Sequence, residues 1–312
     1  MARKPRIHVP GGFYHVILRG NGGDNIFFTD ADRCRFYLLV QEGVERFGHR
    51  VHAFCLMNNH VHLLIQIAEI PLSRIMQNLS FRYTRWINKR QRRTGHLFQG
   101  RYKAVLVDAD SYLLELVRYI HLNPVRAGVV EHIPDYPWSS HAAYVGRERL
   151  TWLTSEVVLA RFSTRRNIAR ARYAEFIAQG VGEPCRPDFH GGTNDARVLG
   201  DDAFAEKALA EKERLKAELD LEECIETVCR HYDLQASALS ERHRTRRPAE
   251  ARAVVGWLAM KRGGMPLSTV ARHFGRDVST LSTSIRRLEV KMIKSDALRT
   301  MVERIADEVI KI

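Results

Sequence analysis

Two histidines stand two apart in Asn58-Asn59-His60-Val61-His62-Leu63-Leu64-Ile65. Val61, Leu63 and Ile65 alternate with His60, His62 and Leu64, the period of a half-buried strand. Residues two apart on a strand project from one face, so both imidazoles point the same way. Neutral imidazole is a common metal ligand. Taken alone, the pair also fits a solvent-facing strand that carries two polar rings. Downstream, Arg118-Tyr119-Ile120-His121-Leu122-Asn123-Pro124 closes a helix whose apolar stripe is Leu113, Leu116, Val117 and Ile120. Tyr119 and Asn123 are four apart and share a face of that helix, with Tyr112 roughly on it too. Two imidazoles and a carboxamide are able to hold one divalent metal with positions open for a phosphate oxygen. Such a metal polarises phosphorus and stabilises charge on the leaving oxygen. A tyrosine hydroxyl beside it is a competent nucleophile. Attack on a DNA phosphodiester would leave a protein–DNA phosphotyrosine and a free 3′-hydroxyl. That link preserves the phosphodiester energy, so strand joining needs no ATP. Imidazole is softer than magnesium prefers, so manganese should serve as well. Spacing does not choose among Tyr83, Tyr112 and Tyr119. Tyr83 lies in the basic run Arg82-Tyr83-Thr84-Arg85-Trp86, where packing or a DNA contact is the plainer reading.

The elements that must position these groups are legible around them. Phe13, His15, Ile17 and Arg19 alternate with Tyr14, Val16 and Leu18 as a strand, and Asn21-Gly22-Gly23-Asp24 is a loop. Asp30 or Asp32 caps a helix through Phe36, Leu39, Val40 and Val44 that Gly48 ends. Arg50 to Leu56 is a strand that continues into the His-x-His strand or pairs with it as a hairpin. Pro71 and Leu72 open a helix with Ile75, Leu79, Tyr83, Trp86 and Ile87 on a helical period. A strand at 104–107 precedes the tyrosine helix, which Asp110-Ser111 caps. Pro124 disfavours helical geometry at Asn123 and predicts a stop there. Mixed rather than strictly alternating strands and helices predict an α+β domain over residues 1–149, an antiparallel sheet with helices packed on it.

Residues 150–179 read as amphipathic helix. Gly180, Gly182, Pro184, Pro187, Gly191, Gly192 and Gly200 then crowd together and predict a linker, with a charged helix after it. Residues 150–220 are thus expected to be a helical extension and linker. From 221 to 312 the pattern is all-helical. Leu267 to Phe274, the turn Gly275-Arg276-Asp277 and a helix from Ser279 to Met292 form a helix-turn-helix signature. The expected DNA contacts are Ser279, Thr280 and Ser282 at the start of the second helix, with Arg276 in the turn. Arg244, Arg246, Arg247 and Arg252 are expected on phosphates or in an adjacent minor groove.

The 312 residues carry 49 Lys and Arg against 36 Asp and Glu, a net charge of +13. That excess points to a polyanionic partner. No apolar run approaches the roughly 20 residues that cross a bilayer, and residues 1–12 lack the apolar core of a signal peptide. No polybasic amphipathic helix accompanies a lipidation signal. Nucleic acid rather than a membrane is therefore the expected partner, and the cytoplasm the expected location. Cys34, Cys55, Cys185, Cys224 and Cys229 include no Cys-x-x-Cys pair and read as reduced, mostly packed thiols.

Asn58-Asn59-His60-Val61-His62 and Tyr119-Ile120-His121-Leu122-Asn123-Pro124-Val125-Arg126-Ala127-Gly128 resemble the HUH single-tyrosine transposases, most nearly the REP-associated tyrosine transposase branch of the IS200-like family. The resemblance covers about residues 5–146. It implies a ferredoxin-like fold, single-stranded DNA with imperfect hairpins as substrate, and a divalent metal, Mg²⁺ or Mn²⁺. By motif position it implies His60 and His62 as the metal pair and Tyr119 as the nucleophile. Asn123 stands where family members supply a third polar ligand. Residues 221–291 resemble the DNA-binding domain of the bacterial replication initiator DnaA, through Arg252 and the Phe274-Gly275-Arg276-Asp277-Val278-Ser279-Thr280 turn. Val278 departs from it, since that family usually has a histidine there.

The expected protein is a metal-dependent strand transferase acting on single-stranded DNA hairpins through a 5′-phosphotyrosine, with a C-terminal domain for duplex DNA. Two alternatives remain at this level: a non-catalytic DNA-binding regulator, and a single-strand nickase that shares the covalent intermediate without joining.

Overall fold

The computed structural model describes residues 7–184, 186–193, 195–217, 220–241, 245–263 and 265–309. The chain divides into two compact units, Met1–Ala208 and Leu209–Ile312. In the first, β1 (Phe13–Arg19), α1 (Asp30–Phe47), β2 (Arg50–Leu56), β3 (His60–Gln66), α2 (Leu72–Arg90) and β4 (Lys103–Val107) follow one another. The strands lie in the order β2-β3-β1-β4, every neighbouring pair antiparallel. That βαββαβ arrangement is ferredoxin-like. Of the two readings of residues 50–65, the hairpin is correct. A fifth strand, β5 (Val198–Leu199), joins β4 in parallel, so the sheet is mixed rather than antiparallel throughout.

Helices cover both sides of this sheet. α1 begins after Thr29 because the Asp32 carboxylate reaches back to accept the Phe28 and Thr29 amides at 3.0 and 2.9 Å. Gly48 ends it at φ +66, a left-handed value that suits glycine. Tyr37 of α1 stands on Phe54 of β2, and Phe36 meets Tyr83 of α2, each pair 5.1 Å apart between ring centroids. Phe54 pairs with Leu63 while Cys55 pairs with His62, so these helices cover the side away from the histidines. α3 (Ala109–Arg126) covers the histidine side, with Tyr119 edge-on to His62. The strand expected to be half-buried is therefore buried on both faces, and His15 and His62 are 0 % exposed.

α3 passes the predicted stop. It is capped by Asp108, which accepts the Asp110 amide at 3.1 Å and the Ser111 hydroxyl at 2.7 Å, and it runs to Arg126 with Pro124 inside it. Proline has no N–H for the Ile120 carbonyl. The Asn123 side-chain amide donates instead, at 3.4 Å to Ile120 and 2.9 Å to Tyr119, and Arg126 adds a bond to the Tyr119 carbonyl at 3.2 Å. Side chains thus replace the bond that proline removes.

α4 (His141–Tyr144), α5 (Glu156–Leu159) and α6 (Arg166–Gln179) follow, so residues 150–179 form two separate helices rather than one. α6 packs on α3. The Gly- and Pro-rich stretch beyond it folds back on the first unit instead of linking domains. Arg118 of α3 pairs with Glu183 at 2.8 Å, α7 (Asp188–Gly191) buries Phe189, and β5 extends the sheet. Gly192 sits at φ +68, where an added Cβ would lie 2.2 Å from the Asp195 carbonyl oxygen. The glycines that suggested a loose chain here make a tight one.

α8 (Asp202–Ala217) spans the boundary between the units. The second unit contains α9 (Leu221–Tyr232), α10 (Ser237–Ser240), α11 (Arg246–Lys261), α12 (Leu267–His273), α13 (Val278–Lys294) and α14 (Asp296–Val309). Ile225, Val228, Val254, Leu258, Ile285 and Ile305 centre its core. Gly256 lets α11 approach α13, since a Cβ there would lie 3.0 Å from Ile285. Among the described residues, no helix is long and apolar enough to cross a membrane.

Candidate active site

The β1–β3 register sets the histidines together. His15 pairs with Leu64, Ile17 with His62 and Arg19 with His60, so all these residues share the face under α3. Lys103 pairs with Ile17 from the other side and joins that face. His15 and His62 are diagonal neighbours, stacked with ring centroids 5.1 Å apart. His60 lies 4.9 Å from His62, and Tyr119 comes down from α3 to 5.8 Å from His62. α7 contributes a further ring: His190, 5.8 Å from His62 and 6.2 Å from His15, is hydrogen-bonded through Nε2 to the Tyr119 hydroxyl.

The hydrogen bonds decide where the lone pairs lie. A backbone carbonyl only accepts, so His15 Nδ1 donates to the Phe189 oxygen at 2.8 Å. In neutral His15, Nε2 then accepts, and the donor 2.9 Å away is His62 Nδ1–H. That leaves His62 Nε2 as an unprotonated nitrogen, and it is buried with no hydrogen-bond partner. Burial pushes His15 down to about 3, opposed by the Phe189 bond, and His60 down to about 4, helped by Arg19 and His190. His62 is held well below its usual value by burial and by His15, His60 and His190. His190 is lowered too, by burial and then by Lys103 and Arg19. All four rings are neutral near pH 7, the form that binds metal or accepts a proton.

Tyr119 is held on several sides. Its ring is 4 % exposed, Phe189 is edge-on at 5.1 Å, and the Arg126 guanidinium lies 5.1 Å from its centroid. Tyr83 has a different environment: it is fully buried among Phe27, Phe36 and Phe98, and its hydroxyl donates to the Ile26 carbonyl at 2.8 Å. That is a core tyrosine. Tyr112 is half-buried, one turn into α3. The structure brings His60, His62 and Tyr119 together but gives Asn123 another task, since its amide serves the Tyr119 and Ile120 carbonyls. Among the described residues no group of three or more His, Cys, Asp or Glu converges as a ready metal cage. Nothing in the local sequence pattern singles out His15, His190, Arg19 or Lys103 as site residues. The alternation around His15 placed it on a strand, but only the sheet order makes that strand the neighbour of β3.

Residues 9–123 match the family model described as "Transposase IS200 like". This segment is similar to the IS200-like transposases. Residues 221–288 match the model for the bacterial dnaA protein helix-turn-helix. A Haemophilus influenzae protein with the provisional name REP-associated tyrosine transposase is 26 % identical over 151 residues, 45 % of this chain and 85 % of its own length. A solved structure of a REP-associated tyrosine transposase bound to a REP hairpin aligns with 49 % of this chain and 98 % of its own, at 15 % identity and a TM-score of 0.41. Phe189 and His190, which pack against Tyr119, lie outside the matched stretch.

In the helix-turn-helix segment, α12 turns at Gly275, φ +57, into α13. Leu281, Ile285 and Leu288 bury one face of α13, and Ser279, Thr280 and Ser282 are exposed on its first turns. Arg246 and Arg247 are exposed at the start of α11. Arg252, by contrast, is 9 % exposed and donates to the Leu239 carbonyl at 2.9 Å, bracing α10 against α11. Its guanidinium is spent inside the unit, so the expected phosphate contact does not fit. Arg276 is half-buried and donates to the Glu241 carbonyl. Arg244 lies outside the described residues.

Proposed function

We propose that the first unit cleaves and rejoins single-stranded DNA at REP-like hairpins, with Tyr119 as the nucleophile and His60 and His62 as the residues that hold a divalent metal. The observation that carries this reading is the unmet, buried His62 Nε2 beside the Tyr119 ring. An unpaired buried polar atom costs free energy, on the order of 1–3 kcal/mol, unless something binds it. An imidazole nitrogen whose tautomer is set by a second imidazole is the arrangement of a ligand oriented by its outer partner. Such an ion, Mg²⁺ or Mn²⁺, would polarise the phosphoryl oxygen and stabilise charge on the leaving oxygen.

The chain's own groups do the rest. Arg19 and Lys103, exposed at the rim, attract the DNA phosphate. Tyr119 Oη attacks phosphorus, the bond to O3′ breaks, and the 5′-phosphate stays on Tyr119 while the 3′-hydroxyl is released. Attack by a 3′-hydroxyl on the phosphotyrosine reverses the step and joins strands. The second unit then binds duplex DNA, with Ser279, Thr280 and Ser282 of α13 at the bases and Arg246 and Arg247 on phosphates. An enzyme of this kind works on DNA in the cytoplasm.

The test is to incubate the full chain with labelled single-stranded hairpin DNA and Mn²⁺ and run a denaturing gel. A label shifted to the mass of the protein, lost with excess chelator, is the expected result. Hairpin binding with no adduct under any divalent ion would favour a non-catalytic regulator. Adduct without exchange onto a second labelled 3′-hydroxyl strand would favour a nickase.

A further inference from the structure

His190 belongs to the stretch whose composition suggested a linker, yet its placement is firmly built. The Arg186 guanidinium forks onto Asp188 at 2.7 and 3.1 Å and lies 4.6 Å from the Phe189 ring. Phe189 is 1 % exposed and its carbonyl is bound by His15. β5 then anchors the following residues to β4. These constraints set His190 against Tyr119, with the two rings perpendicular and their centroids 5.7 Å apart, and with Nε2 on the hydroxyl. Of the other rings, His15 is committed to Phe189 and His62, His60 Nδ1 bonds Asn59 at 2.7 Å, and His62 Nε2, though unmet, makes no hydrogen bond to the tyrosine hydroxyl.

Resting on Tyr119 as the nucleophile, we infer that His190 is a further catalytic residue, the group that takes the hydroxyl proton as Tyr119 attacks and returns it when strands are rejoined. A phenol with an ordinary pKa near 10 is protonated at neutral pH, so its oxygen must shed a proton to attack well. In cleavage the Oη–H bond breaks and the proton passes to Nε2. The Oη–P bond forms, and the P–O3′ bond breaks with its electron pair staying on O3′. Solvent protonates O3′, and the imidazolium yields its proton to solvent, so no acid or base is consumed. In joining, His190 regains a proton from solvent, the attacking 3′-hydroxyl gives its proton to solvent, and the imidazolium protonates the departing tyrosine oxygen, which returns His190 to the neutral form.

The experiment measures single-turnover adduct formation by the full chain on labelled hairpin DNA with Mn²⁺, for wild type, His190→Ala and His190→Gln. Hairpin affinity and thermal melting are followed alongside. Both variants are expected to lose about 10²-fold or more in rate while still binding hairpin. Added imidazole is expected to restore part of the rate to His190→Ala, because a free base can enter the space left by the ring. Glutamine keeps a hydrogen-bond acceptor but cannot take the proton, so a full rate in His190→Gln would overturn the proposal. So would a full rate in His190→Ala, or a slow, folded His190→Ala that imidazole does not rescue. If His190→Ala does not fold, the rate of a folded His190→Gln decides. A wild-type chain that forms no adduct would overturn this inference and the nucleophile assignment together. An active wild type with unaffected variants would overturn this inference alone.

Discussion

Among the described residues of the first unit, two buried histidine–tyrosine clusters start from the same helix. Tyr119 of α3 faces His15, His62 and His190; His121, two residues later, faces Ser140, His141 and Tyr173. In the second cluster His121 Nε2 meets the Ser140 hydroxyl at 2.6 Å and its Nδ1 meets the Tyr173 hydroxyl at 2.7 Å, which also lies 3.0 Å from His141. Ser140 in turn bonds both backbone groups of Phe54, at 2.9 and 3.3 Å. Ser140, His121 and Tyr173 have the residue types of a hydrolytic site, but their polar atoms are used up in holding α3, α4 and α6 to β2. In the first cluster His62 Nε2 has nothing to bind. Burial of polar rings therefore does not by itself mark a site; what distinguishes the first cluster is an unmet nitrogen beside the Tyr119 ring.

Substitutions separate the two clusters. The largest effect should come from Tyr119→Phe, which is expected to abolish adduct while leaving hairpin binding and melting temperature close to wild type. Next, His60→Ala and His62→Ala should each stop cleavage, as seen by the same gel. The buried His62 has a further cost: without its Nδ1–H, His15 Nε2 loses its donor, which destabilises the fold by on the order of 1–3 kcal/mol. Chemical denaturation should show that loss for His62→Ala and less of it for the rim residue His60. In the satisfied cluster the outcome should be reversed. Tyr173→Phe strands ring nitrogens of His121 and His141 and should cost about 1–3 kcal/mol of stability, with adduct formation by the folded protein unchanged. A fall in adduct rate matching that of the histidine variants would erase the distinction between the clusters.

Acid should act on both clusters. Burial lowers His15 to about 3 and His141 to about 4, and holds His121 well below its ordinary value. The unfolded chain then binds more protons than the folded one below the ordinary histidine value, about 6.5. Stability is full above that pH and falls as pH drops toward 4, with each such histidine contributing a slope of about 1.4 kcal/mol per pH unit. Melting temperatures that do not change between pH 7 and pH 5 would contradict the neutral assignments. The smallest effect belongs to the second unit. Arg246→Ala should flatten the log–log salt dependence of duplex binding by about 0.9, whereas Arg252→Ala should act through folding stability.

Much of this was readable from local pattern. Alternation placed His60 and His62 on one strand face, and a helical period placed Tyr119 and Asn123 on one helix, because those periods are properties of a few consecutive residues. What failed depended on distant partners. Pro124 predicts a stop unless a side chain supplies the missing donor, and the Asn123 amide does so. Glycine and proline in 180–200 predict turns but do not say whether the turns are free or pinned. Phe189 and His190, an aromatic pair amid small residues, are the signal in the sequence that this stretch packs. Arg252 had the charge expected of a phosphate contact, and only burial shows that it faces the Leu239 carbonyl.

On the proposed function, the unmet histidine nitrogen and Tyr119 form one reaction centre. The most direct measurement digests the covalent protein–DNA product and maps the nucleotide-bearing peptide by mass spectrometry. The account predicts a 5′-phosphonucleotide on the peptide containing Tyr119. A modified Tyr112 or Tyr83, or a product whose protein carries no nucleotide, would contradict it.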